Sequence, residues 1–357
     1  MPKFNTLRIK EIRRETADCV TLAFEVPDAL SEEYRFIQGQ HLTLKTEIGG
    51  AEVRRSYSIC ASPLNESMRV AIKKVEGGSF STFANEQLKV GDTLEVMTPM
   101  GRFYTELRPD NEKHYVAFAA GSGITPILSI MKAVLEQEPR SEFTLFYGNR
   151  RADSIIFREE IEGLKNTHMG RLSVHHILSR DKQGSSLFSG RIDAEKCRAF
   201  CDKLIDPLEV DEFFLCGPQD MTDSIRNTLI AEGIDPKRIH FELFTTSRIM
   251  AKRPAVRKED KGPAVESRIT IKLDDNTFEF PLASNGDTIL DAALKAGAGL
   301  PFACKGGVCC TCRAKLIEGE VEMDVNYALE PDEVAAGYIL ACQGHPKTDK
   351  VSLDFDV

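Results

Sequence analysis

The stretch Cys304-Lys305-Gly306-Gly307-Val308-Cys309-Cys310-Thr311-Cys312 decides how this chain is read. With Cys342 it gives the spacing C-x4-C-x2-C-x29-C. That is a ligand pattern for a [2Fe–2S] cluster, in which each of two irons takes two thiolates. Three sulfurs come from one loop and the fourth from a distant element, so the fold must close before the set is complete. Gly306 and Gly307 suit such a loop, because glycine reaches the φ values that turn backbone N–H groups inward. Structural zinc would use two CxxC-like pairs, and only Cys309 and Cys312 form one here. A disulfide pair would need an oxidising compartment, of which the sequence gives no sign. Using Cys310 as a ligand would give x5 and x1 spacings, so it is read as a non-ligand thiol.

Around this loop, residues 267–357 read as a mixed sheet with one helix, a β-grasp-like arrangement. Arg268–Leu273 and Thr277–Phe280 are expected strands, followed by a helix from Asp287 to Leu294 capped at Asp287. A short helix is expected near Glu330–Ala336, then a strand bearing Cys342 and a last strand over Val351–Phe355. Residues 247–266 hold two prolines and many charges without apolar periodicity, and read as a linker.

Residues 111–246 alternate between strand and helix patterns. Tyr115–Ala120 is a continuous apolar run, as in a buried parallel strand. It runs into Gly121-Ser122-Gly123-Ile124-Thr125-Pro126 and a helical pattern, the geometry that presents a helix N-terminus to a diphosphate. Pro126 stands where the full G-x-G-x-x-G fingerprint has its third glycine. Phe143–Tyr147 ends in Gly148-Asn149-Arg150-Arg151, and Glu212–Cys216 ends in Gly217-Pro218. Ligands of α/β sheets bind at the carboxyl ends of strands, where all three turns fall. His175 and His176 are adjacent on an expected strand, point to opposite faces and read as structural.

Residues 1–110 read as a small antiparallel β-barrel, with short alternating strands at Val20–Val26, His41–Lys45, Arg69–Val75 and Thr93–Met97 punctuated by glycine turns. Arg55-Ser56-Tyr57-Ser58-Ile59 offers a cation for a pyrophosphate, a phenol for an aromatic ring and a hydroxyl for its heteroatoms. Gly77-Gly78-Ser79-Phe80-Ser81 opens a helix able to hold a phosphate.

The chain has 357 residues, enough for two or three domains. Its net charge of −9 is uneven. Ser267–Val357 carries 8 Lys/Arg and 15 Asp/Glu, a net of −7, leaving −2 for the other 266 residues. An acidic cluster domain suits docking to a basic partner surface and equally suits solubility. There is no basic footprint for nucleic acid. No apolar stretch follows the first residues to make a signal peptide, and no run of about 18 apolar residues exists to span a membrane. A reducing, cytoplasmic setting is expected.

Taken together, RxYS, GGxxS, GxGxTP, YGNR, CGP and the E-x-F of Glu242–Phe244 resemble the ferredoxin–NADP reductase superfamily. The cysteine pattern resembles plant-type ferredoxin, and the resemblance covers essentially the whole chain. Phe36–Lys45, Arg54–Cys60, Pro301–Cys309 and Asn326–Tyr338 are similar to the reductase components of phenylacetyl-CoA epoxidases. The family usually has a small non-sulfur residue where Cys310 stands. The resemblance implies an oxidoreductase of three parts: an FAD-binding β-barrel over 1–110, an NAD(P)-binding α/β domain over 111–246 and, after the linker, a ferredoxin domain over 267–357. Arg55, Tyr57 and Ser58 would hold FAD, with Gly78 and Ser81 on its pyrophosphate. Gly121, Gly123 and Thr125 would receive the nicotinamide nucleotide, with Cys216 and Gly217 near its reactive ring. Glu242 and Phe244 would close the site. Ser58, Thr125, Cys216 and Glu242 are thus the expected catalytic set, and Cys304, Cys309, Cys312 and Cys342 the metal ligands.

The implied reaction moves a hydride from nicotinamide C4 to flavin N5, then single electrons to the cluster and on to a separate di-iron oxygenase of phenylacetate degradation. Arg150 and Arg151, with no acid before Asp153, favour the 2′-phosphate of NADPH over NADH. FMN in place of FAD, the reductase of another aromatic mono- or dioxygenase, and an iron–sulfur redox sensor are the alternatives. Ferredoxin-last domain order favours the epoxidase type, and a sensor would not need the flavin and nucleotide motifs.

Overall fold

The computed structural model describes residues 3–64, 67–181, 184–244 and 265–356. Of the expected linker, 247–264 lies outside these residues, and Glu266 already opens a strand. The chain forms two compact units, Phe4–Leu243 and a second from Phe244 onward.

The first unit contains two sheets. Strands β1 (Phe4–Thr16), β2 (Cys19–Glu25), β3 (His41–Ile48), β4 (Ala51–Ser58), β5 (Arg69–Lys73) and β6 (Thr93–Met97) make an antiparallel sheet in the order β4-β3-β6-β1-β2-β5. Its two edges meet where Ile59 bridges to Val70, which closes the barrel. Alternation of side chains along each strand turns Leu7, Ile9, Val20, Leu22, Leu42, Leu44, Val70, Ile72, Leu94 and Val96 into one core. Helix α1 (Ser79–Glu86) adds Phe80 and Ala84 to that core.

The second sheet is wholly parallel. Strands β7 (His114–Ala120), β8 (Glu142–Asn149), β9 (Leu172–Leu178), β10 (Glu212–Gly217) and β11 (Ile239–Leu243) lie in the order β11-β10-β7-β8-β9. Helices α2 (Ile124–Gln137), α3 (Arg158–Thr167), α4 (Ala194–Lys203) and α5 (Gln219–Ala231) supply the crossovers. Val116, Phe118, Phe146, Phe213, Leu215, Ile225 and Leu229 are fully buried between sheet and helices, each worth about 1.5–3 kcal/mol of apolar burial. The chain steps from β7 outward to β8 and β9, then returns to the other side of β7 for β10 and β11. The crevice above the adjacent ends of β7 and β10 is therefore the topological switch point. The His175 ring stacks at 5.1 Å on Phe146 and 5.6 Å on Phe188, while His176 lies 3.6 Å from Glu162.

The second unit is a mixed sheet. Strands β12 (Glu266–Leu273), β13 (Asn276–Ala283), β14 (Arg313–Glu318), β15 (Val321–Met323), β16 (Tyr338–Leu340), β17 (Gly344–Pro346) and β18 (Lys350–Asp354) are joined by helices α6 (Ile289–Lys295) and α7 (Pro331–Ala335). The main sheet has the order β13-β12-β18-β14-β16, with β12 and β18 parallel. Ile289, Leu290 and Ala293 of α6 sit in its core with Ile269, Ile271 and Leu353. Two expectations are corrected. The cap of α6 is Thr288, whose hydroxyl accepts from the Asp291 N–H at 3.2 Å, while Asp287 pairs with Lys295 at the surface. Cys342 lies on the turn between the three-residue strands β16 and β17, not on a strand. Gly344, Gln343 and Cys342 are all buried, so the ligand position is fixed by packing rather than by a ladder.

Thr288→Ala is expected to destabilise the second unit by about 0.5–2 kcal/mol, whereas Asp287→Ala leaves its urea midpoint where it was, because the pair is exposed and screened. Far-UV circular dichroism of the two variants checks this; a lowered midpoint for Asp287→Ala beside an unchanged one for Thr288→Ala would restore Asp287 as the cap.

Candidate functional site

At the switch point the backbone leaves no room for side chains. A Cβ on Gly123 would overlap the carbonyl of Cys216, and one on Gly217 would stand 3.1 Å from Ala120 Cβ. The Gly121–Gly123 turn and the Cys216–Gly217 turn therefore lie against each other. Gly121 takes φ +55° with open space beyond its α-carbon. The Thr125 hydroxyl donates to the Ser122 carbonyl at 3.0 Å, and the buried Tyr147 hydroxyl donates to the Gly121 carbonyl at 2.9 Å. Thr125 is itself buried, so it braces the turn from below. Tyr147 belongs to the YGNR stretch, but its role as a brace had no signal in the sequence. Helix α2 starts at Gly123 with no side-chain cap. The first N–H groups of a helix have no partner of their own, and an anion suits them.

On the barrel, β4 brings Arg55, Tyr57 and Ser58 to the same region. Arg55 is exposed, Tyr57 half-buried and Ser58 buried. Tyr57 lies 5.6 Å from the Phe80 ring of α1, so strand and helix N-terminus form one surface. Burial pushes the Tyr57 phenol far above its ordinary pKa, which keeps it a donor. Gly78 caps α1 and leaves its N-terminus without a side-chain cap. A Cβ on Gly78 would stand 2.5 Å from Ser81 Oγ. The Ser81 hydroxyl accepts from Val75 N–H at 3.1 Å and donates to Gly78 carbonyl at 3.3 Å. It shapes the loop, while the first N–H groups of a helix have no partner of their own. An uncapped helix start with glycine at its mouth fits a pyrophosphate.

Beside the switch point a hydrogen bond joins the barrel to the parallel sheet. Ser58 Oγ donates to Glu242 Oε2 at 3.2 Å, and Glu242 pairs in register with Cys216 on the neighbouring strand. Burial pushes the Glu242 carboxyl up to about 7, against the pull of the Ser58 hydrogen bond. Burial first, and the nearby Glu242 second, push the Cys216 thiol well above its ordinary value, so it stays a neutral thiol. Phe244 follows β11 directly and is counted with the second unit.

Arg150 is exposed just beyond β8. Arg151 is held by Asp153 at 3.5 Å and Asp181 at 3.8 Å. The Arg150 carbonyl accepts from the N–H of Arg180, an exposed arginine just beyond β9. Arg180 lies 30 residues away in sequence and became a neighbour only through the parallel pairing of β8 with β9.

In the second unit the thiols come as two pairs, Cys304 with Cys309 and Cys312 with Cys342, each sharing a hydrogen bond. Among the described residues no three His, Cys, Asp or Glu converge to hold a single metal ion. Two pairs are what a binuclear cluster asks for, two thiolates per iron. The hydrogen bond from Cys309 draws Cys304 down to about 6 against the cost of burial, helped by the N–H groups of Gly306, Val308 and Cys309. Gly306 N–H reaches Cys304 Sγ at 3.2 Å, and Gln343 Nε2 reaches Cys342 Sγ at 3.4 Å. Gly307, at φ +75°, would carry a Cβ only 3.2 Å from the Val325 carbonyl. Lys305 and Cys310 also adopt left-handed backbone, at φ 48° and 53°. Cys310 turns its sulfur to the Ala328 carbonyl at 3.4 Å, which leaves it outside both thiol pairs. The donor set fits a [2Fe–2S] cluster.

Family models match for an oxidoreductase FAD-binding domain over 6–104, an oxidoreductase NAD-binding domain over 118–227 and a 2Fe-2S iron-sulfur cluster binding domain over 271–347. The chain is 46% identical to one of the subunits of 1,2-phenylacetyl-CoA epoxidase of Escherichia coli K12, covering 100% of this chain and 99% of that one. It is 32% identical to the ferredoxin reductase component of 3-ketosteroid-9-alpha-monooxygenase of Rhodococcus rhodochrous, covering 98% and 96%. Phthalate dioxygenase reductase shares the fold with TM-score 0.60 at 22% identity, over 99% of this chain and 98% of that one. No helix among the described residues is long and apolar enough to cross a membrane.

The raised Glu242 carboxyl gives a pH signature. Its folded value of about 7 lies above the ordinary 4.5, so the fold favours the protonated form. That contribution is fully present below pH 4.5 and is lost as pH rises through 7. Glu242→Gln removes it. Urea unfolding at about pH 5 and about pH 8 is expected to show the wild type losing about 1–3 kcal/mol more than the variant; parallel losses would place the carboxyl in water.

Proposed function

The chain belongs to the family of flavin- and [2Fe–2S]-dependent reductase components of oxygenases, and from that premise we propose that it takes electrons from NADPH and delivers them to the di-iron oxygenase that epoxidises phenylacetyl-CoA. The observation that carries the reading is the Ser58–Glu242 contact beside Cys216, which joins the flavin barrel to the nucleotide turn.

When bound, the flavin accepts electrons as a pair from nicotinamide and releases them singly to the cluster. The residues of this chain position and tune. Arg55 would grip a phosphate oxygen of the flavin nucleotide and the α1 N-terminus at Gly78 would hold the pyrophosphate, with Ser81 keeping the Val75–Gly78 loop in shape. Tyr57 would lie against the flavin ring. Ser58 donates to Glu242, and that bond would orient both side chains toward the bound rings. Gly121 and Gly123 let the nicotinamide nucleotide approach the backbone, with Thr125 bracing the turn. Cys216 and Gly217 would lie near the reactive ring, and a thiol kept neutral adds no competing nucleophile. Phe244 follows Glu242 closely in sequence and is the residue assigned to cover the flavin face. Cys304, Cys309, Cys312 and Cys342 hold the cluster, whose type lies near about −400 mV.

Arg150 meets the 2′-phosphate, and Arg180 stands beside it as a second guanidinium. This supports NADPH over NADH, since a ribose diol is usually met by an acid. Arg150→Ala is expected to lower kcat/KM for NADPH by about tenfold to a hundredfold, the loss of a charge-assisted hydrogen bond of about 1.5–3 kcal/mol, and to leave NADH unchanged. A wild type that prefers NADH would contradict the assignment. The reading as a whole is tested by coupled turnover. With the oxygenase component of an epoxidase complex, NADPH oxidation should yield the ring epoxide of phenylacetyl-CoA. Coupling only to an aromatic dioxygenase would move the chain to another branch of the family.

A further inference from the structure

Helix α2 is apolar and buried over Ile124–Leu135, with two polar exceptions besides Thr125: Ser129 and Lys132. With Glu136 they stand at i, i+3 and i+7, one stripe on one face. Every member of the stripe bonds to the barrel or reaches it through one carboxylate. Ser129 Oγ donates to the Ala61 carbonyl at 2.7 Å. Ser62 Oγ donates to Glu136 Oε2. Lys132, 2% exposed, pairs with Glu160 of α3, and Arg69 of barrel strand β5 pairs with the same Glu160 oxygen. Arg69 also lies over the Phe157 ring at 5.7 Å, and Phe157 is held at φ 62°, a conformation bulky residues rarely adopt.

Ala61 and Ser62 follow Tyr57, Ser58 and Ile59 with only Cys60 between, and Arg69 pairs through its carbonyl with the Cys60 N–H at 3.0 Å. Gly123 opens the first turn of the same helix α2. One rigid helix thus carries the nucleotide turn at its start and is keyed along its side to the segment that continues the flavin strand. Apolar contacts are non-directional, so they do not fix how far the helix slides along the barrel; the ion pairs and hydrogen bonds do.

We propose that the Arg69–Glu160–Lys132 ion triad, with the Ser129–Ala61 and Ser62–Glu136 bonds, is a positioning device that sets the distance between nicotinamide and flavin. It rests on the reductase reading above. Two cations share one carboxylate, so Glu160 is the keystone. Deleting its charge deprives buried Lys132 of that carboxylate, which relaxes the seam rather than any group touching the cofactors.

Two variants of the full flavin- and cluster-loaded protein test this. In anaerobic single turnovers with saturating NADPH, Glu160→Gln is expected to slow flavin bleaching by about tenfold to a hundredfold, since about 1 Å of misplacement costs up to about 10²-fold. The NADPH dissociation constant should stay within about twofold and the primary isotope effect with 4-deuterated NADPH should change. Without nucleotide, amide exchange over Arg69–Lys73 and Arg158–Thr167 should rise. The double variant Lys132→Met, Glu160→Gln removes the buried cation as well. It should regain the melting temperature but not the rate. A double variant with the native rate, isotope effect and exchange pattern would reduce the triad to a stability element and overturn the proposal. A wild type that fails to bleach with NADPH would instead contradict the reductase reading, and the exchange comparison would still decide whether the triad holds the seam.

Discussion

The Cys216 carbonyl occupies the place where a side chain on residue 123 would have to stand. That contact makes two turns, one after β7 and one after β10, into a single surface at the switch point of the sheet. Every other feature of the nucleotide side is arranged around it: Thr125 and Tyr147 brace the first turn, and Cys216 is paired in register with Glu242. Ser58 then ties the barrel to that carboxyl across 184 residues of sequence. A side chain at residue 123 would push against the Cys216 carbonyl and force the two turns apart.

The cluster unit solves a different problem. Its loop must offer thiolates as two pairs and surround them with N–H donors in a region where water is scarce. Left-handed backbone at Lys305, Gly307 and Cys310 produces the required curl. Lys305 pairs with Asp291 at 2.6 Å and lies over Phe302 at 4.6 Å. This anchors the loop on α6, and Gln343 holds the Lys305 carbonyl at 3.1 Å. The strain of the two left-handed non-glycine residues, Lys305 and Cys310, is thereby offset by contacts from α6 and the Cys342 turn.

Much of this was legible in the sequence because the chemistry-bearing residues sit in local runs. Cysteine spacing, a glycine turn after an apolar strand, and R-x-Y-S on an alternating strand each have a backbone reason that one segment contains. The parallel character of the second sheet followed from a change of period, and the barrel from short alternating strands with glycine turns. What was not legible depends on neighbours. Asp287 and Thr288 are both competent caps, and only the structure shows which one points at the helix. Cys342 reads as strand because apolar residues precede it, yet the flanking strands are three residues each and the cysteine falls between them. The Ser81 hydroxyl reads as a phosphate ligand and is spent on its own loop. Lys132 carries no signal in the sequence, since its carboxylate partner, Glu160, arrives from another helix. Arg180 gains meaning only beside Arg150.

The central claim is that electrons enter as a pair at the barrel and leave singly through the cluster of the same chain. Anaerobic titration of the purified protein with NADPH, followed by visible absorption, tests it most directly. The account predicts that stoichiometric NADPH bleaches the flavin band and the overlapping cluster absorption together. Cluster absorption that persists unchanged beside a flavin reduced by NADPH would contradict it.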